Sequence, residues 1–135
     1  SHKGYDFPRL MLKVAREKGQ VSVVNDQFGS PTYTYDLSLK IKQLVDTDAP
    51  YGTFHITNQG VCSWYDFAEE VFRLFGVHTN LVPIGTEESG SKIRRPVFSV
   101  LENRHLKDSN IELLREWKDA LADYAAKVRE SDRMQ

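Results

Sequence analysis

Cysteine is almost absent. Cys62 is the only one in the 135 residues, so no disulfide can form within the chain and no zinc site of paired cysteines can be built. A reducing, cytoplasmic setting is expected. No strong charge of either sign is present: the net charge is −1, which argues against a nucleic-acid or membrane surface built on bulk electrostatics. Apolar runs are short, so none could cross a bilayer as a helix, and there is no signal-like start. The four histidines, His2, His55, His78 and His105, share no metal-ligand spacing. There is no G-x-G-x-x-G turn, no phosphate-binding P-loop and no G-x-S-x-G elbow. Cys62 precedes a helix start, where a thiol pKa can fall, but an inert role is the plainer reading. The acid pairs Glu69-Glu70 and Glu87-Glu88 read as solvated.

What is present is an ordinary soluble composition, 40% apolar and 27% charged, enough for one domain or most of one. Ser1-His2 resembles the scar of a cleaved tag, and residues 1–3 are read as tag remnant or linker. Leu10, Met11, Val14 and Ala15 recur at helical spacing after Phe7, and Lys18-Gly19 closes that helix. Val21, Val23 and Val24 predict a short buried strand. Leu37, Ile41, Leu44 and Val45 predict a second amphipathic helix. Phe54 and Ile56, alternating with His55 and Thr57, predict a strand. The clearest helix follows Ser63, an N-cap with Asp66 at the capping-box position. Its face is Trp64, Phe67, Ala68, Val71, Phe72 and Phe75, and Gly76 ends it. Leu81, Val82 and Ile84 predict another strand. Residues 85–92 are polar, 101–108 predict a short helix, and Leu113, Trp117, Ala120, Leu121, Tyr124 and Val128 mark a last long one. The tail 131–135 is expected to fray. Helices alternating with short strands predict an α/β fold. Three strands are few for a doubly wound sheet, which suggests a missing half.

Two segments carry candidate chemistry. In 25-NDQFGSPTYTYD-36, Pro31 fixes the backbone and Gly29 allows close approach to a ligand. Thr32 or Thr34 could cap the next helix, whose N-terminus suits an anion, and Asp36 in its first turn suits the dipole. A turn with a cap would account for these residues as well as a binding site would. In 92-KIRRP-96, three cations make a donor cluster matched to phosphate oxygens, and Pro96 stiffens the backbone beside Arg95. A solvated charge run is the alternative there.

The residues in order resemble the C-terminal half of dTDP-4-dehydrorhamnose reductases, which are similar to extended short-chain dehydrogenases. The resemblance rests on V-x-x-D-Q-x-G-x-P-T at 23–32, G-T-F-H-I-T-N at 52–58, and C-S-W-Y-D-F-A at 62–68. It continues through V-P-I-G-T-E-E at 82–88, R-P-x-x-S-x-L at 95–101 and R-E-W-x-x-A-L at 115–121. It implies a Rossmann-type fold with few short strands covered by helices, and residues 4–130 as its substrate-binding region. It implies reduction of dTDP-4-dehydro-L-rhamnose by NADPH or NADH, with the cofactor turn and a Tyr-x-x-x-Lys pair in the absent N-terminal half. That half is thereby an expected partner, as is a second copy of the chain. Tyr124 and Lys127 lack that spacing, so no catalytic residue is expected here and the chain alone should be inactive. The expected substrate contacts are Gln27, Gly29 and Thr32, with Arg95 the first choice for the diphosphate. Some members hold a divalent metal between subunits through glutamates. Tyr35 and Asp36 stand at one of those places, which puts a metal in doubt. The rivals are a related sugar-nucleotide epimerase or dehydratase, and a reductase-like regulatory subunit without chemistry.

Overall fold

The computed structural model describes residues 6–133, which run α1 (Phe7–Lys18), β1 (Gln20–Val24), β2 (Phe28–Gly29), α2 (Thr34–Asp46), β3 (Cys62–Ser63), α3 (Trp64–Phe75), β4 (Asn80–Ile84), α4 (Arg104–Asp108) and α5 (Trp117–Arg133). The tag or linker expected at residues 1–3 lies outside the described residues. Strand β1 pairs with β4 in parallel, from Gln20 opposite Asn80 to Val24 opposite Ile84, and β2 pairs with β3 in a second, minimal ladder. Among the described residues no helix is long and apolar enough to cross a membrane.

The chain forms two compact units. The first comprises Ser1–Phe28 and Cys62–Phe98. Here α1 and α3 both pack on β1. Asp6 caps α1 by accepting from the Arg9 amide, and Gly19 ends it in the left-handed conformation that glycine adopts without steric cost. The buried stripe of α1 is Pro8, Leu12 and Ala15; Leu10, expected on it, is 40% exposed. Helix α3 has the full reciprocal cap, Ser63 Oγ accepting from the Asp66 amide and the Asp66 carboxylate accepting from the Ser63 amide. Ala68, Val71 and Phe72 are its buried face, and Val21 and Val23 are the buried residues of β1, on which it packs. A fully buried valine such as Val71 contributes roughly 1.5–3 kcal/mol relative to exposure. Phe7 closes the end of this core, with its ring 4.8 Å from Trp64 and 5.4 Å from Phe67.

The second unit comprises Gly29–Val61 and Ser99–Gln135. Its buried apolar residues are Leu106, Leu114, Trp117, Ala120, Leu121, Ala125 and Val128. Three expectations fail in this unit. No strand forms at 54–57. Instead the Asn103 amide stands in for a neighbouring strand: its Oδ1 accepts from the Thr57 amide at 3.0 Å and its Nδ2 donates to the Thr57 carbonyl at 3.0 Å. The expected face of α2 is only partly covered: Leu37 and Leu44 are half-buried, Ile41 is 51% and Val45 73% exposed, and Asp36 and Lys40 are buried. The last helix starts at Trp117, so Leu113 precedes it. The backbone there is held extended, because Gln59 bridges Glu116 and exchanges hydrogen bonds with Arg115 and Trp117. Helix α5 continues through Arg133, so the fraying expected from Ser131 does not begin within the described residues.

Candidate functional site

The four expected contact residues fall in both units, Gln27 and Arg95 in the first and Gly29 and Thr32 in the second. In the first unit the end of β1 is tied to the turn after β4. The Asp26 carboxylate accepts from the Thr86 amide at 2.9 Å and from its hydroxyl at 2.6 Å. Those two bonds hold the Asp26 carboxyl below its ordinary range. Gln27 Nε2 donates to Thr86 Oγ1 at 3.0 Å, and the Gln27 side chain is buried. Its amide orientation is therefore set by Thr86, a role sequence reasoning missed although both residues lie in quoted motifs.

Arg95 is exposed, as are Lys92 and Arg94. Among the described residues none of the three cations forms an ion pair. The chain beyond them is fastened, because the Phe28 amide donates to the Val97 carbonyl at 2.8 Å and Phe28 bridges Phe98. Arg95 is thus a fork of uncommitted donors on an anchored backbone, the condition for bidentate phosphate recognition.

In the second unit the turn Gly29–Tyr33 is pinned at both ends by one segment. Ser30 Oγ donates to the Gly60 carbonyl at 3.0 Å, and the Tyr33 amide donates to Asn58 Oδ1 at 2.8 Å. Thr32 sits between these points, with its hydroxyl 3.4 Å from the Ser30 carbonyl. Neither Thr32 nor Thr34 caps α2; Tyr33 is the N-cap, without a side-chain bond. The space a side chain at Gly29 would enter is met by Ser99 Oγ, 3.2 Å from an added Cβ. Close packing against Ser99 therefore disfavours a side chain at Gly29.

The helix start is electrostatically served by Asp36. Arg115 grips it through two bonds, Nε at 2.9 Å and Nη2 at 2.7 Å. Asn58 Nδ2 donates to the same carboxylate at 2.9 Å. Arg115 also meets Asp123 at 2.9 Å, which pairs with Lys127 at 3.1 Å. The Arg115 bonds, then those of Asn58, hold the Asp36 carboxyl below its ordinary range. The Lys127 ammonium lies 3.4 Å from the Tyr35 ring centre, a cation–π arrangement. This network was missed, although Asp36 and the R-E-W motif were both visible, because a buried carboxylate and its arginine 79 positions away leave no periodic trace.

With both its oxygens engaged, Asp36 is a poor metal ligand, and the ammonium over Tyr35 would repel a cation. Among the described residues no group of three His, Cys, Asp or Glu could hold a metal. Of the histidines, His105 is structural, stacked on Phe54 at 4.1 Å and donating from Nδ1 to the Thr53 carbonyl. His2 lies outside the described residues, and Cys62 is buried.

Residues 1–130 match the RmlD substrate binding domain family. The chain belongs to that family. This RmlD substrate binding domain is 42% identical over 123 residues to the spore coat polysaccharide biosynthesis protein SpsK of Bacillus subtilis, covering 91% of the chain and 42% of that protein. Its fold matches a dTDP-4-dehydrorhamnose reductase from Clostridium acetobutylicum with a TM-score of 0.88 and 39% identity, over 94% of this chain and 45% of that one. A dTDP-4-dehydrorhamnose reductase from Bacillus anthracis, solved in complex with NADP, matches with a TM-score of 0.87 and 35% identity, over 92% of this chain and 44% of that one. The domain therefore spans under half the length of each of these relatives. The fold is that of the Rossmann-type extended reductases, as the motifs implied.

Proposed function

We propose that this chain is the substrate-binding part of an NAD(P)H-dependent dTDP-4-dehydrorhamnose reductase, which converts dTDP-4-dehydro-L-rhamnose to dTDP-L-rhamnose for polysaccharide biosynthesis. The observation that carries this reading is the match to a reductase of that name along 94% of the chain, at 39% identity. In this reading Arg95 takes the diphosphate. Gln27, Gly29 and Thr32 are each assigned as substrate contacts, with Gln27 and Thr32 supplying polar groups. The chain's part in the reaction is orientation and charge neutralisation, holding a reactive pose. Since the 135 residues contain no G-x-G-x-x-G turn, this reading assigns the cofactor to the rest of the protein.

The test is a calorimetric titration with dTDP of the full-length protein, beside Arg95→Ala. Loss of a charge-assisted phosphate contact should weaken binding by about 1–3 kcal/mol. Equal affinity in the two proteins would remove Arg95 from the site. Failure of the unmodified protein to bind dTDP would overturn the substrate class.

A further inference from the structure

The hydrogen bonds around Thr32 close into a ring. The segment Asn58–Gly60 grips the turn on both sides of Thr32, through Tyr33 and Ser30. That segment is in turn bonded to the chain ahead of α5. The Gln59 amide donates to the Arg115 carbonyl, the Trp117 amide donates to the Gln59 carbonyl, and Gln59 Nε2 donates to the Leu114 carbonyl at 2.6 Å. Asn58 Nδ2 adds a bond to the Arg115 carbonyl at 3.1 Å. From the same residue the guanidinium returns to Asp36 in the first turn of α2, one helical turn from where the ring began. Asn58 is 1% exposed, and both ends of its amide are engaged. This amounts to more than a bare turn needs, because a four-residue turn with a proline closes with few outside partners.

We propose that Asn58 and Arg115 are positioning residues for nucleotide-sugar binding, acting through Thr32. Their ring fixes the Ser30–Tyr33 backbone, so that the Thr32 hydroxyl meets the ligand without a cost of ordering the turn. This rests on the reading of Thr32 as a substrate contact given above. The chemistry is preorganisation: a loop that must be frozen on binding loses affinity, and one already frozen does not. Two donors on Arg115 in a fixed fork are required, because a single ammonium cannot hold both Asp36 oxygens in plane.

The experiment is a double-mutant cycle in the full-length protein, read by dTDP titration and by KM and kcat for the 4-keto sugar nucleotide. Asn58→Ala and Arg115→Lys are each expected to weaken dTDP binding and raise KM roughly tenfold, with kcat changed little. Thr32→Ala is expected to weaken binding too. Combined with Thr32→Ala, neither positioning variant should weaken binding further, since the group it places is gone. Arg115→Lys, at a partly exposed side chain, keeps the test open if Asn58→Ala does not fold. Additive losses, or variants that lose thermal stability while KM and dTDP affinity stay at the unmodified values, would overturn the positioning role. If Arg95→Ala weakens dTDP binding while these results are additive, the substrate reading stands and only this proposal falls. If the unmodified protein binds no dTDP, both fall together.

Discussion

Asp36 is a carboxylate kept charged in a buried position, and that has a defined pH signature. Its pKa is lowered from the ordinary value of 3.8 on folding, so on acidification the unfolded chain takes up the proton first. The stabilisation is complete above that ordinary value, shrinks as the pH falls below about 4, and is lost once the folded carboxyl protonates. Asp123, lowered chiefly by Lys127 and also by Arg115, acts in the same window. Asp36→Asn should therefore flatten, without abolishing, the acid limb of a stability profile measured by urea unfolding. Arg115→Ala should cost about 1–3 kcal/mol at neutral pH, because it leaves a buried carboxylate with one donor, a loss moderated by solvent reaching the arginine. Gly60 makes a second residue-scale case. Its φ is +90°, and an added Cβ would lie 2.7 Å from both Glu116 Oε2 and Trp117 Cδ1. Gly60→Ala should then cost about 2–4 kcal/mol, from backbone strain plus overpacking. Gly76→Ala, at φ +65° with open space around it, should cost about 1 kcal/mol. Thermal melts of the two variants side by side separate the effects.

At the scale of elements, stability and legibility go together where the stabilising signal is local. Helix α3 declares itself through Ser63, Asp66, a continuous apolar face and Gly76, and each does in the structure what its residue type implies. Ser63→Ala should lower stability by about 1 kcal/mol through loss of the cap, seen as a lower urea midpoint with an unchanged slope. Strands β1 and β4 were equally legible from short valine- and leucine-rich runs, and their pairing places Val21 opposite Leu81. What could not be read are the elements whose partners are side chains far away in sequence. The alternation at 54–57 was real, but the backbone of Thr57 bonds to the amide of Asn103, which no strand pattern announces. The apolar stripe on α2 predicted a buried face. The ion pair with Arg115 pulled Asp36 inward instead, and Lys40 is buried with its ammonium on Gln43. The candidate site divides in the same way. Arg95 could be singled out as a candidate because its charge cluster is local, whereas the settings of Gln27 and Asp36 depend on Thr86 and Arg115, which only the fold brings near.

For the whole molecule, the groups present and the groups missing lead to one expectation. Parallel sheets are ordinarily built from several strands with helices on both faces, and a two-stranded ladder such as β1 with β4 gives little stability alone. The chain spans under half of each relative it matches. Its 135 residues contain no G-x-G-x-x-G turn and no Tyr-x-x-x-Lys pair of the required spacing. Reduction of a sugar ketone requires the hydride donor and the carbonyl to be held at near-contact distance, with an acid beside the oxygen. In the proposed function Arg95, Gln27 and Thr32 each contact the nucleotide sugar, and none of them is assigned the acid or the hydride donor. The chain by itself, given NADPH and a dTDP-4-keto sugar, should therefore leave the NADPH absorbance unchanged over hours, whereas the full-length protein should consume it. Adding dTDP to the full-length reaction should slow that consumption competitively, and Arg95→Ala should blunt the inhibition by raising the concentration of dTDP needed. Turnover by the isolated chain would mean that it contains an acid and a cofactor site of its own, and the division of labour argued from its motifs would have to be abandoned.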